Sequence, residues 1–371
     1  MNETTELTYR PLTEASVMAK QADTAWNVTF TNLIRNTDRY AWGNWTLDPT
    51  IELGAVGWFN LTDFQLQSAG STFDAPCKSM LSNTDWHVEQ GKVKQTSTGI
   101  KFDVPYKDPT TGLEVTVGTE ATWSFESAGS MSSQGTTTRI DVVEDPASFM
   151  LDQYDAFLAL AERYNQAQNG KIAQGFGMIT KVWLTTGCVN AGSRSDKSSL
   201  SVAGSVEGMA AMIGRGASAA LNGSYARVTS EGSIEQRIFP GKANVVVDAP
   251  VPYAYEFSSF DGRVVIPRWI TNIPYLSLWL DNGGTYIVKA TVTYEVDGKK
   301  QERKASVSGG LDTQINDIPL NATNLVVEMD FVAGGDHFLQ VQSPLSAWYR
   351  GRGHIKLKGV WPGKTSAEWI D

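Results

Sequence analysis

The sequence predicts an α+β protein that is mostly β: a twisted antiparallel sheet domain with hairpins and one main amphipathic helix, followed by a small antiparallel β-sandwich. Three observations carry this expectation. Apolar and polar residues alternate with period two over long stretches, one stretch alone has helical periodicity, and short β-branched runs follow one another closely from Pro274 onward. The composition agrees, with 34 Gly, 12 Trp, 41% hydrophobic and 19% charged residues among 371. Gly-rich, Thr-rich chains favour turns and pleated surfaces. The length implies two domains, placed at residues 1–266 and 275–371, because Pro267, Arg268, Trp269 and Pro274 interrupt the alternation between them.

Ala15–Ala22 is read as one or two helical turns. From Ala25 to Phe73 the runs WNVTF, RYAWGNWTL and ELGAVGWFN are dense in aromatics and punctuated by Gly, Asn and Asp, which predicts short strands and tight turns. Lys92–Phe125 is the clearest hairpin. Ile100, Phe102, Val104 and Tyr106 alternate with polar residues, a turn follows at Lys107–Gly112, and Leu113, Val115 and Val117 resume the alternation. One apolar and one polar face are expected.

The main helix is predicted from Pro146 to Gln168. Asp145 suits an N-cap, Pro146 suits the first helical position, and Asn169-Gly170 suits the end. Met150, Tyr154, Phe157, Leu158, Ala161 and Tyr164 form its apolar stripe. A second hairpin region, Met178–Phe239, encloses Ser198–Gly223, a segment of Gly, Ala and Ser in which only Glu207 and Arg215 are charged. Small side chains bury little apolar area each, so this segment anchors a core poorly. Its centre, Val206–Leu221, is expected as a short helix. Val245–Ile266 reads as a strand pair, and LSLWL, TYIVKATVTYEV, QERKASVS, NLVVEMDF and HIKLKGVW as strands of the sandwich, with Asp297-Gly298 as a hairpin turn.

Composition narrows the function classes. A net charge of −9 and a pI near 5.0 argue against nucleic acid as a partner. Cys77 and Cys188 are far apart and form no metal spacing; two reduced, buried thiols are expected, with a single bridge between them as the alternative. The opening MNETTELTYRPLTEAS has no apolar run and is not read as a signal peptide, so the soluble form is expected in the cytoplasm. His87, His337 and His354 are isolated, and no HExxH or GxSxG motif occurs. Gly359–Thr365 is too short for a phosphate loop and contains Pro362. The expectation is a protein that is not an enzyme and has no cofactor or metal.

Strands of ~9–11 residues with alternating faces are long enough to span a bilayer as part of an oligomeric barrel. The candidate membrane-inserting residues are Ile100, Phe102, Val104, Leu113, Val115 and Val117 in the first hairpin, and Leu200, Val202, Val206, Met209, Met212 and Ile213 in the second region. Candidate lipid head-group contacts are Lys92, Lys94, Lys101, Arg215, Arg227, Arg237 and Lys242.

The GAVGWF turn (Gly54–Phe59), two hairpin regions around a helix, GMITKVWLTTGCVNAG and the closing IFPGKANVVVDAPVPYAYEFSSFDG together resemble the pore-forming domain of gasdermins, in particular the smaller gasdermin-like cell-death proteins. The likeness covers roughly residues 25–266. It implies acidic-lipid binding, self-association on the membrane, and insertion of hairpins near Lys92–Phe125 and Met178–Phe239. The C-terminal sandwich departs from that family and is more like a module that targets or restrains a cytolysin through a receptor or glycan. Two other classes fit the composition: a non-enzymatic carbohydrate- or receptor-binding protein, and a structural assembly subunit.

Overall fold

The computed structural model describes residues 25–214, 222–247, 249–341, 345 and 348–370, so the expected helix at Ala15–Ala22 lies outside the described residues. The described chain opens on helix α1 (residues 25–34), where short strands were expected. WNVTF is helical because Trp26, Phe30 and Ile34 stand four residues apart, on one face, and all three are buried. After it come β1 (Trp42–Gly43) and the β2–β3 hairpin (Ala55–Asn60 and Gln65–Thr72).

A long antiparallel sheet forms the centre. It begins with β4 (Cys77–Gln90); β5 (Val93–Lys107) and β6 (Glu114–Phe125) intervene before β7 (Met131–Val143) pairs back onto β4. Helices α2 (Pro146–Asp152) and α3 (Tyr154–Arg163) follow. The Asp145 carboxylate accepts from Ser148 N at 3.1 Å, as an N-cap should. The single helix expected to Gln168 is broken at Gln153 and ends at Arg163. Asn169 and Gly170, with φ of 52° and 68°, instead turn the small hairpin of β8 (Ala167–Gln168) and β9 (Lys171–Ile172). Asn-Gly fits a two-residue hairpin turn as readily as a helix end. Met150, Tyr154, Phe157 and Ala161 are buried against Val56, Phe176, Met178 and Phe260, so the helical stripe does face a core.

The 18-residue β10 (Phe176–Ser193) is the spine of the sheet. Next come β11 (Ser198–Gly204), α4 (Val206–Ile213), β12 (Arg227–Glu231), β13 (Ile234–Phe239), β14 (Val251–Asp261) and β15 (Val264–Ile266). One edge of β10 pairs with β2 and then β7, and the other with β14 and then β13. YARVTSEGSIEQRIF, expected as a hairpin, is two strands in different sheets: β12 pairs with β11, whereas β13 pairs with β10. Gly232, at φ 79°, makes the crossing. The helix expected within Val206–Leu221 is α4; residues 215–221 lie outside the described residues.

The C-terminal region is a sandwich of two four-stranded sheets. Its strands are β16 (Leu276–Asn282), β17 (Val288–Val296), β18 (Lys299–Val307), β19 (Asp312–Ile318), β20 (Thr323–Phe331), β21 (Asp336–Gln340), β22 (Arg352–Gly359) and β23 (Thr365–Trp369). The sheet orders are β19-β16-β22-β23 and β18-β17-β20-β21. All pairs are antiparallel except β16–β22. Asp297 and Gly298 both have positive φ in the β17–β18 turn. The sandwich core runs without a break through Trp269, Ile270 and Ile273 into Trp42, Phe59 and Tyr255. Among the described residues no helix is long and apolar enough to cross a membrane.

Candidate functional site

Two ribbons of the central sheet fold over at the same level. The β4–β7 ladder runs to Gln90↔Met131 and resumes as the β5–β6 ladder at Val93↔Phe125. The β10–β13 ladder runs to Ser193↔Ile234 and resumes as β11–β12 at Ser199↔Glu231. Gly91 and Gly232, both at positive φ, sit at these folds. Gly129 N donates to Ser193 O at 2.7 Å and Ser193 N to Ser130 O at 2.8 Å, tying the two folds to each other. Beyond them β6 pairs with β11, so both folded ends share one four-stranded sheet, β12-β11-β6-β5.

This second sheet has segregated faces. Ala121, Trp123, Phe125, Leu200 and Val202 are buried against Val189 and Ala191 of β10, with Met209, Met212 and Ile213 of α4 wedged between the sheets. The opposite face carries Thr96, Thr98, Thr122, Ser124, Ser199 and Ser201, and Thr122 Oγ1 lies 2.7 Å from Ser201 Oγ. The segment after α4 approaches the spine by backbone: a methyl on Gly223 would lie 2.6 Å from Gly187 Cα. Gly187 stands where register shifts cross the β10–β7 and β7–β4 pairings together, around Leu184–Cys188 and Leu81–Thr84.

The proposed inserting residues are divided by this geometry. Leu200, Val202, Met209, Met212 and Ile213 are buried, Ile100, Phe102 and Val115 are half-buried, and Val104, Leu113, Val117 and Val206 are exposed. The single apolar face expected of the first hairpin is not formed. Ile100 stands opposite Gly118 and Lys101 opposite Val117, so the two apolar sets occupy opposite faces up to that point. The register that runs from Val93↔Phe125 sets this, and beyond Lys101 comes an irregularity, reaching to Tyr106, in which Pro105 has no N–H to give to the ladder. Val104 is carried out into solvent by it.

The proposed head-group contacts do not form one patch. Lys92 is 3.6 Å from Glu126, Arg227 is 3.5 Å from Glu120, and Arg237 is 3.2 Å from Glu235. Lys94, Lys101 and Lys242 are exposed at separate points, and Arg215 lies outside the described residues. Both cysteines are free: Cys188 is buried as expected, but Cys77 is exposed at the start of the edge strand β4. Burial pushes the Cys188 thiol well above its ordinary pKa.

The far end of the sandwich presents a feature that alternation did not reveal. Leu311, Val360 and Trp361 are 60%, 67% and 62% exposed, with Ile287 and Val332 partly so. They sit on four loops that hold one another. Trp361 N donates to Thr285 Oγ1 at 2.9 Å, Tyr286 OH to Gly363 O at 2.9 Å, Asn282 N to Leu311 O at 3.0 Å and Val332 N to Ile287 O at 2.9 Å. Large exposed apolar groups on a braced tip mark a contact surface. The only sequence signal was Trp361-Pro362 in a turn, which says nothing of its four-loop setting.

Two sheet edges are also open. The outer edges of β4 and β13 pair with no strand among the described residues, and Met80 and Leu81 on β4 are 48% and 86% exposed. Among the described residues no group of three or more His, Cys, Asp or Glu is placed to hold a metal.

No protein-family model matches the chain, and a search of curated proteins finds no match. Among solved structures, the cytotoxin suilysin from Streptococcus suis is similar at 11% identity, over 76% of this chain and 69% of that one, with a TM-score of 0.19. Listeriolysin O is similar at 11% identity, over 76% and 67%, with a TM-score of 0.19. The membrane-binding domain of pneumolysin is similar at 16% identity, over 26% of this chain and 97% of that one, with a TM-score of 0.17. Scores of this size assign neither a fold family nor an activity.

Proposed function

We propose that this chain is a pore-forming protein that attaches by the sandwich tip, self-associates through its open sheet edges, and inserts its two folded ribbons into the membrane. The observation that carries this reading is the pair of ribbons folded at one level. Straightened at the Gly91 and Gly232 folds, β5–β6 would continue β4–β7, and β11–β12 would continue β10–β13. At ~3.3 Å per residue, the 15 residues of β5 would reach about 50 Å, against a hydrocarbon core of about 30 Å. The face now packed on α4 would meet lipid and the Thr/Ser face would meet water, as a barrel requires.

Each chain would add few strands, so closure needs several copies. The open edges of β4 and β13 supply partners for one another. Acidic lipid as the attachment surface, a cytoplasmic soluble form, non-enzymatic action and kinship with gasdermin-like proteins belong to this proposal. The two hairpin-bearing inserts support the last of these, and the C-terminal sandwich departs from it.

Dye release from vesicles with and without acidic lipid tests the reading. Release accompanied by large oligomers is expected. A full-length chain that binds vesicles yet releases no dye, or that releases dye as a monomer, would overturn it.

A further inference from the structure

At the seam between sheet and sandwich, Tyr40 and Tyr349 meet edge to face with ring centroids 5.5 Å apart. The Arg39 guanidinium lies 5.0 Å from the Tyr40 ring and 4.9 Å from the Tyr349 ring. Arg268 lies 5.2 Å from Tyr40, and Arg350 lies 5.3 Å from Tyr349. A fourth cation, Arg35, stacks on Trp42 just beneath, and burial and the nearby Arg350 charge help to lower its pKa to about 10.

Such convergence is unexpected in a chain of net charge −9. Arg268 has Glu256 at 3.2 Å, but Glu256 is shared with Lys181 at 3.0 Å. Neither Arg39 nor Arg350 has a carboxylate within 4.0 Å among the described residues, and both are exposed. Arg350 is held at φ 52°, ψ 29°, a left-handed conformation that a non-glycine residue adopts only at a cost. Like charges held together on aromatic faces, with Arg39 and Arg350 exposed, are arranged for an anion. Guanidinium forks pair two-to-two with tetrahedral oxyanions.

We propose that Arg39, Arg268 and Arg350 on the Tyr40–Tyr349 pair bind a sulfated polysaccharide. Phosphorylated lipid head groups share the oxyanion chemistry, but position separates the two. Arg350 precedes β22, whose eight residues run about 25 Å to the apolar tip. A chain seated tip-first holds this cluster well above the head groups, at the height of cell-surface glycans. That choice of source rests on the tip-first attachment proposed above; the oxyanion site itself does not.

Calorimetric titration of the full chain with a heparin oligosaccharide, hyaluronan and inorganic sulfate tests the proposal, using Arg39→Gln, Arg350→Gln, their combination, and Lys300→Gln on the basic edge strand β18. Heparin should bind, and hyaluronan, which has carboxylates but no sulfates, should not. The double variant should bind heparin about tenfold more weakly or worse at unchanged melting temperature, while Lys300→Gln keeps full affinity. No heparin binding, or equal losses in Lys300→Gln, would overturn the site. Attachment to vesicles of phosphorylated inositol lipid that depends on Arg39 and Arg350, with heparin ignored, would overturn the glycan assignment. A chain that releases no dye yet binds heparin through these arginines would lose the pore reading and retain this one.

Discussion

Gly187 and Gly223 meet backbone to backbone: a methyl on Gly187 would lie 2.8 Å from Gly223 Cα, and Gly223 N donates to Thr186 O at 3.1 Å. At this point the spine of the central sheet and the segment that follows α4 touch through backbone, with the Met212 side chain beside both glycines. The small-residue composition that anchors a core poorly is what permits this approach.

Gly187→Ala and Gly223→Ala should therefore each push that segment off β10. The expected loss is about 1–3 kcal/mol, typical of overpacking at a fixed site. Chemical denaturation of both variants measures it; wild-type stability in either would mean the contact is looser than 2.8 Å implies.

The pore reading keeps β6 on β11, because β6–β11 continues the register of β7–β10, with Phe125↔Ser198 following Met131↔Gly192, and the four strands β5-β6-β11-β12 straighten as one sheet. Thr122→Cys with Ser201→Cys, in a Cys77→Ser background, places two thiols at positions whose hydroxyls are 2.7 Å apart. The oxidised protein should bind vesicles and release dye as fully as the reduced protein. Release lost in the locked form and restored by reductant would show that these strands part, and would overturn insertion of the two ribbons as one sheet.

The tip makes a separate prediction. Trp361→Ala should weaken vesicle binding by about tenfold or more, since the exposed indole loses its apolar burial. The melting temperature should hold, because the ring is 62% exposed in the soluble form. A circular-dichroism melt alongside vesicle flotation separates the two effects.

Stability should fall at alkaline pH. Burial raises the pKa values of Cys188, Tyr253 and Tyr255 in the folded protein. They stay neutral there, whereas an unfolded chain loses protons at about 8.5 from the thiol and about 10 from the phenols. Their contribution is thus complete below those values and is lost as pH rises through the window up to the folded pKa values. Denaturant midpoints between pH 7 and 10 should show this, and Cys188→Ala should remove the first limb. A thiol probe at pH 8 should label Cys77 and leave Cys188 untouched until the protein unfolds.

Much of this architecture was legible in the sequence. Alternation located the β5–β6 hairpin, four of the six residues in the helical stripe are fully buried, and Ser205 caps α4 within the small-residue segment through Gly208 N at 3.1 Å. The errors have local causes. WNVTF looks extended by β-propensity but becomes helical because Trp26, Phe30 and Ile34 can be buried together. Ile100, Phe102 and Val104 promised one face with Val115 and Val117, but the ladder sets Ile100 opposite Gly118 and Lys101 opposite Val117, which parts the two sets.

By itself the sequence determined the mostly β class, the two hairpin-bearing inserts and the poverty of their anchoring, because periodicity and side-chain size are local properties. Only the tertiary structure decided that both inserts fold over at one level, that Thr122 faces Ser201, and that Arg39 and Arg350 meet on one tyrosine ring. Those relations join residues 79 and 311 positions apart, and strand order and register, to which local pattern is blind, bring them together.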